Sequence, residues 1–300
     1  ALPAVPGPRL AGVDPHNLFV VVETGDHHVS LIDGDKLVRL FRFPSRYALH
    51  GGPKFSPDGR FVYFASRDGW ISKFDLYHQV VVAEIRAGLN TRNAAVSSDG
   101  KWVMVANYLP HNLVVLDAGD LSLVKIIPAR NAAGDKSSRV SAVYDAAPRK
   151  SFVAAFKDLP EVWEISYDPQ AEPFADGLVH DYPAREGHFQ PAMLRPRRIL
   201  LEQIVDDFFF TQRYDVLLGA SRSASRGQVI HLDVRRKIAD LALPGMPHLG
   251  SGITWSWRAP DGTLRTVMAS PNLNDGLITV IDLATFETVK QIPTRGPGFF

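Results

Sequence analysis

Three hundred residues with 45% hydrophobic content are enough for a sizeable core, and no run of about 18 apolar residues is present to form a membrane-spanning helix. With 33 basic against 32 acidic residues the formal charge is +1, too balanced for the broad positive field on which nucleic-acid and anionic-membrane binders rely. Because there is no cysteine, these residues hold no disulfide, thiolate metal site, thiol nucleophile or C-x-x-C-H attachment of a covalent haem c.

The chain opens ALPAVPGP, without Met and without a charged and apolar signal segment. The expectation is a leader removed upstream, with the compartment to be learned elsewhere. From NLFVVVETG onward two phrases alternate. The first is a hairpin around S-x-D-G: KFSPDGRFVYFAS from Lys54 and AVSSDGKWVMVAN from Ala95, with degraded copies starting at Ala142, Phe208 and Thr254. Asp-Gly supplies the positive dihedrals of a tight turn, and the flanking Val, Phe and Tyr residues suit a pleated sheet.

The second phrase is an alternating strand ending in an acid: VSLIDGDKL, ISKFDLYHQVV, LVVLDAGDLSLVKII, VWEISYDPQ, VIHLDVRRKIADL and ITVIDLATFETVKQI, with aspartates at 33, 75, 117, 233 and 282. A regular return of the same ordered pair of phrases is the mark of a repeat architecture rather than of a two-sheet sandwich. Each repeat reads as an antiparallel sheet of about four strands, so the fold class is all-β, a β-propeller with about six countable blades. One propeller domain over 1–300 is expected, closed by NLFVVVETG as a six-bladed ring or lacking one or two C-terminal blades. Between Glu164 and Asp233 the segment QAEPFADGLVHDYPAREGHFQPAMLRPRRI departs from the pattern and reads as a mobile lid or a partner surface.

Propeller ligands sit at one mouth, on the loops that lead into the first strand of each blade. Those loops are RYALHGG, AGLNTRNAA, GDKSSRVSA and GMPHLGSG, and they offer His50, Arg92, Arg139 and His248. His50 precedes two glycines that let a planar ligand approach, and its imidazole suits iron; a strand-capping histidine is the alternative. Arg92 and Arg139 occupy corresponding places in consecutive repeats and either clamp carboxylates or make salt bridges between blades. His248 is either a proton carrier or a solvent-facing turn residue. Asp135 and Asp145 flank Arg139 and are candidates to orient it or act on a ligand, or plain turn residues. The His27-His28 pair lacks a third metal ligand, RPRR at 195–198 is too short for nucleic acid, and no flavin, nicotinamide or phosphate-loop motif is present.

Taken in order and spacing, RYALHGGPKFSPDGRFVYFASRDGWISKFDLY, the TRN loop, SSRVSAVYDA and GMPHLGSGITW resemble the haem d1 propeller family of the haem-containing dissimilatory nitrite reductases. Within it they look most like the NirF branch, which serves haem d1 biosynthesis. The resemblance implies an eight-bladed propeller with haem d1 at one mouth, His50 as proximal iron ligand, Arg92 and Arg139 on the macrocycle's carboxylates and His248 as a distal histidine. It places a second distal histidine just past Phe300. It further implies a periplasmic maturation protein that binds haem d1 or dihydro-haem d1 and meets nitrite reductase and a NirN-like protein, with a lipid anchor, if any, outside these residues. A dehydrogenase or side-chain-modifying enzyme acting on the precursor, and a ligand-free interaction propeller, are the alternatives. Without C-x-x-C-H, a self-sufficient nitrite reductase is not expected.

Overall fold

Strand patterning and turn chemistry act together along the whole chain, which a computed structural model describes over residues 2–175, 189–220 and 226–298. The first sheet has three strands, β1 (Leu18–Glu23), β2 (His28–Asp33) and β3 (Val38–Pro44), in the order β1-β2-β3. The second is β4 (Lys54–Phe55), β5 (Phe61–Ala65), β6 (Trp70–Asp75) and β7 (Val80–Arg86). The third is β8 (Asn90–Val96), β9 (Trp102–Leu109), β10 (Asn112–Asp117) and β11 (Leu123–Pro128). The fourth runs β12 (Val140–Ala146), β13 (Ser151–Phe156), β14 (Glu161–Ser166) and, after the hairpin β15 (Phe174–Ala175) and β16 (Phe189–Gln190), β17 (Pro196–Leu200). The fifth is β18 (Asp207–Phe210), β19 (Val216–Ala220), β20 (Gly227–His231) and β21 (Arg236–Leu241). The sixth is β22 (Ile253–Arg258), β23 (Leu264–Pro271), β24 (Leu277–Asp282) and β25 (Thr288–Pro293). Six blade-like sheets are therefore present among the described residues, as the repeated phrases predict.

The turn residues explain the repetition. In the second sheet the Ser56 amide donates to the Phe61 carbonyl at 2.9 Å and the Phe61 amide donates to Ser56 Oγ at 2.9 Å, with Gly59 at φ 71°. Ser97, Trp102 and Gly100 repeat the arrangement in the third sheet. The acid ending the second phrase accepts the amide two residues on: Asp33 from Asp35, Asp75 from Tyr77, Asp117 from Gly119 and Asp282 from Ala284. Such an Asx turn ends a strand with its backbone groups satisfied. In the fifth sheet that place belongs to His231, whose Nδ1 accepts from the Asp233 amide at 3.2 Å. The sequence pattern had put Asp233 there. Left-handed Arg235, four residues after His231, matches Leu37, Leu121 and Phe286 after their acids and fixes the correct alignment.

Side-chain alternation buries both faces of a strand, unlike the one wet face of a sandwich sheet. Val62 and Phe64 of β5 join Val29, Leu31 and Phe74, while Tyr63 and Ala65 join Val103, Val105 and Leu116. Each Val, Leu or Phe among them contributes roughly 1.5–3 kcal/mol by leaving water. Compact units follow: one comprises residues 1–154 and 165–194, the other 155–164 and 195–300.

The long excursion is an insertion into the turn between β14 and β17. Other blades close this turn with an amide-to-carbonyl bond over four residues, Leu37 to Asp33 at 2.8 Å and Phe286 to Asp282 at 2.8 Å. Here Leu194, left-handed like Leu37, makes the same bond to Ser166 at 2.7 Å. In an antiparallel sheet this turn lies at the end opposite the loop that enters β12, so the base of the excursion sits away from the mouth loops. The expectation of a lid is corrected for that base; residues 176–188 of the segment lie outside the described residues.

Candidate functional site

His50 is held by its own backbone before its ring is considered. Its amide donates to the Ala65 carbonyl at 2.9 Å, which fixes the loop at the start of the blade. The ring Nδ1 lies 2.8 Å from the carbonyl oxygen of Arg92. A carbonyl only accepts, so Nδ1 carries the proton and Nε2 presents a lone pair. The Arg92 guanidinium lies against the ring: its Nη1 is 3.0 Å from Nδ1 and closer still to Nε2. The main chain of Arg92 thus fixes the tautomer that leaves Nε2 able to bind a metal, and its side chain sits against the ring.

The two glycines after His50 do different things. A Cβ on Gly51, at φ 86°, would lie 2.4 Å from Cβ of Asn93. Asn93 in turn binds β12, donating to the Val143 carbonyl at 2.8 Å and accepting its amide at 3.2 Å. Gly51 therefore serves the packing of the loop on β8, not ligand clearance as its sequence context suggests. Gly52 is open: a Cβ there would meet only Nζ of Lys54, at 3.8 Å. Lys54 donates to the Gly51 carbonyl at 3.0 Å, and burial pulls its ammonium below the usual lysine range. A second cation, not anticipated from sequence, thus sits beneath the open glycine.

Arg139 immediately precedes β12 and lies over the Tyr108 ring, 5.6 Å from its centroid. Because Asn93 is level with Val143, Arg139 stands four residues, roughly 13 Å, further toward the loop end than that level. Arg92 and Arg139 are therefore not equivalent positions: one is deep beside His50, the other near the rim on an aromatic support. Tyr108, at the end of β9, was invisible to a reading restricted to the loops before each first strand.

The two acids flanking Arg139 part company. Asp135 accepts from Asn131 Nδ2 at 2.7 Å inside the 129–138 loop, and that bond holds its carboxyl below the usual range. Asp145 lies at the far end of β12, six residues or about 20 Å of strand from Arg139. There it accepts the Tyr167 hydroxyl at 2.8 Å beside Ser98, and burial pushes its carboxyl up to about 6.

In the second unit, the His248 amide donates to the Pro271 carbonyl at 3.0 Å. Its Nδ1 is 3.6 Å from Oδ2 of Asp207, both side chains about four-fifths buried at 18% and 19% exposure. Asp207 belongs to the fifth first-strand loop, Q-I-V-D-D before Phe208, and reading that loop as the other four are read would find it. Among the described residues no three His, Asp or Glu side chains gather as a metal site. A lone imidazole with a fixed tautomer, flanked by cations, fits a metal carried by an anionic macrocycle. No helix among the described residues is long and apolar enough to cross a membrane.

Comparison with known proteins puts names beside this geometry. Residues 13–300 match the family model described as cytochrome D1 heme domain. The dihydro-heme d1 dehydrogenase of Pseudomonas aeruginosa is 56% identical over 287 residues, 96% of this chain and 53% of that protein. The solved structure of dihydro-heme d1 dehydrogenase NirN in complex with DHE superposes with a TM-score of 0.86 at 55% identity, covering 100% of this chain and 58% of that one. Protein NirF of Pseudomonas aeruginosa is 37% identical over 149 residues, 49% of this chain and 38% of its own length. The chain spans about half the length, or less, of the curated relatives it matches. The β-propeller fold stands, and the likeness to NirF is partial where that to the dehydrogenase runs nearly throughout.

Proposed function

Since the chain belongs to the cytochrome D1 heme domain family, we propose that it binds dihydro-haem d1 and takes part in its dehydrogenation to haem d1. The observation that carries the binding reading is the His50–Arg92 arrangement, a neutral imidazole whose Nδ1 is locked on a carbonyl 2.8 Å away. His50 would supply Nε2 to the iron of the bound macrocycle. Arg92 and Arg139 hold carboxylates, the former by a planar fork suited to bidentate contact, and Lys54 adds positive charge under Gly52.

Dehydrogenation removes two hydrogen atoms from the substrate as two electrons and two protons. The bound macrocycle supplies the redox-active centre, and the electrons pass to a one-electron acceptor such as a haem protein. His248 accepts one of the two protons, which suits an imidazole whose ordinary pKa is near neutrality, and the other passes to solvent. Neither Asp135 nor Asp145 is assigned a part: the first braces its loop and the second lies at the other end of the blade. We place the activity in the periplasm by family, with a nitrite reductase as the recipient of the product.

The test is anaerobic mixing of the protein with dihydro-haem d1 and an excess of a one-electron acceptor. Conversion to haem d1 that His248→Gln slows at least tenfold is expected. Stoichiometric binding without conversion would instead favour a carrier of the NirF kind, and no spectral change at all would favour an interaction propeller.

A further inference from the structure

The fifth first-strand loop carries an acid directed at His248. Asp207, the first residue of β18, faces Nδ1 of His248 at 3.6 Å through its Oδ2. The same Oδ2 accepts the Gly250 amide at 2.8 Å, which keeps the carboxylate from turning away. From these contacts we propose that Asp207 is the positioning residue for His248: it accepts the hydrogen bond from Nδ1–H and leaves Nε2 as the proton acceptor. This rests on the reading of His248 as a base. Ligand-free hydrogen bonds of this kind are commonly long and tighten in the complex, and an acid behind an imidazole both selects the tautomer and stabilises the imidazolium.

Charged groups on the described elements packed against the turn have partners of their own. Asp206, next in the chain, is paired with Lys157, whose Nζ is 2.8 Å and 2.9 Å from its two oxygens. The turn Leu249–Ser251 packs on β18, β19 and β23. β19 has no ionisable residue, and Arg265 of β23, at that strand's far end, is tied to Asp261 and Asp282. Asp207 is thus the charge that β18 turns toward His248, with Asp206 already neutralised beside it.

A bland role exists for Asp207, that of a staple for the turn through Gly250, and Asp207→Asn separates the two. Asparagine keeps an oxygen for the Gly250 amide and loses the charge. In histidine NMR titrations, with the His248 signal assigned by its loss in His248→Gln, Asp207→Asn is expected to lower the His248 midpoint by about one pH unit. In the conversion assay kcat is expected to fall about tenfold with KM unchanged, and the limb reporting His248 ionisation moves to lower pH. An unchanged His248 midpoint in a folded Asp207→Asn protein overturns the proposal and leaves the staple. A shifted midpoint with conversion that neither Asp207→Asn nor His248→Gln affects supports the pairing and overturns the base reading instead.

Discussion

The ring of His50 shares its space with an arginine. Nη1 of Arg92 lies against both ring nitrogens in the described state, and Nε2 is the one available to iron. Binding therefore has to move the arginine, and a carboxylate of the macrocycle is the group that draws it away. Esterifying the carboxylates should weaken binding to the wild type at least tenfold, but to Arg92→Ala by a smaller factor, since no guanidinium then crowds the ring; equal losses in a spectral titration would remove the coupling. Asp145 makes a separate prediction. Its carboxyl is raised by burial to about 6, above the unfolded value near 4, so its ionisation opposes folding. The fold is favoured below about pH 4 and loses that margin as pH rises through 6. Asp145→Asn should flatten this part of the curve and raise the unfolding midpoint at pH 7, checked by thermal melts between pH 4 and 7. At this scale His50 stands out as a candidate because its loop can be compared with sister loops. Asp207 was hidden in the one such loop left uncompared, and Asp145 was misread because a chain neighbour of Arg139 ends up one strand-length away.

Turns carry most of what the elements reveal. The Ser-x-Asp-Gly hairpins were legible because hydroxyl, carboxylate and left-handed glycine each have a fixed job in the turn. His231 escaped the pattern because an imidazole nitrogen accepts the same amide as a carboxylate oxygen, so chemistry persisted where spelling changed. The excursion was visible as a break in period, but which end of the blade it joins depends on strand polarity, which only the Leu194 to Ser166 closure makes plain. Joining Ala175 to Phe189 through Asn-Gly keeps the hairpin register of β15 and β16 and removes 176–188. Affinity for dihydro-haem d1 should stay within twofold in an equilibrium titration; a larger loss would restore the segment as a lid. Gly51 belongs to this scale as well, since its Cβ would strike Asn93 and disturb the tie from β8 to β12.

For the molecule as a whole, composition spoke early and within limits. A balanced charge and 45% hydrophobic content pointed to a globular core, and repeat spacing gave the six sheets and their order. The cysteine-free sequence describes these 300 residues, while 287 of them match only 53% of the dehydrogenase relative, so it settles nothing about a haem c elsewhere. What no composition or period conveys is which macrocycle suits the His50 group, because that depends on a tautomer fixed by one carbonyl and on cations brought together from separate loops. The central claim is that this group holds a haem d1 species. Titrating dihydro-haem d1 into the wild type and into His50→Ala while recording visible spectra tests it: a stoichiometric spectral shift is predicted for the wild type, with at least tenfold weaker binding and an altered spectrum for the variant. Identical spectra and affinities for the two proteins would contradict it.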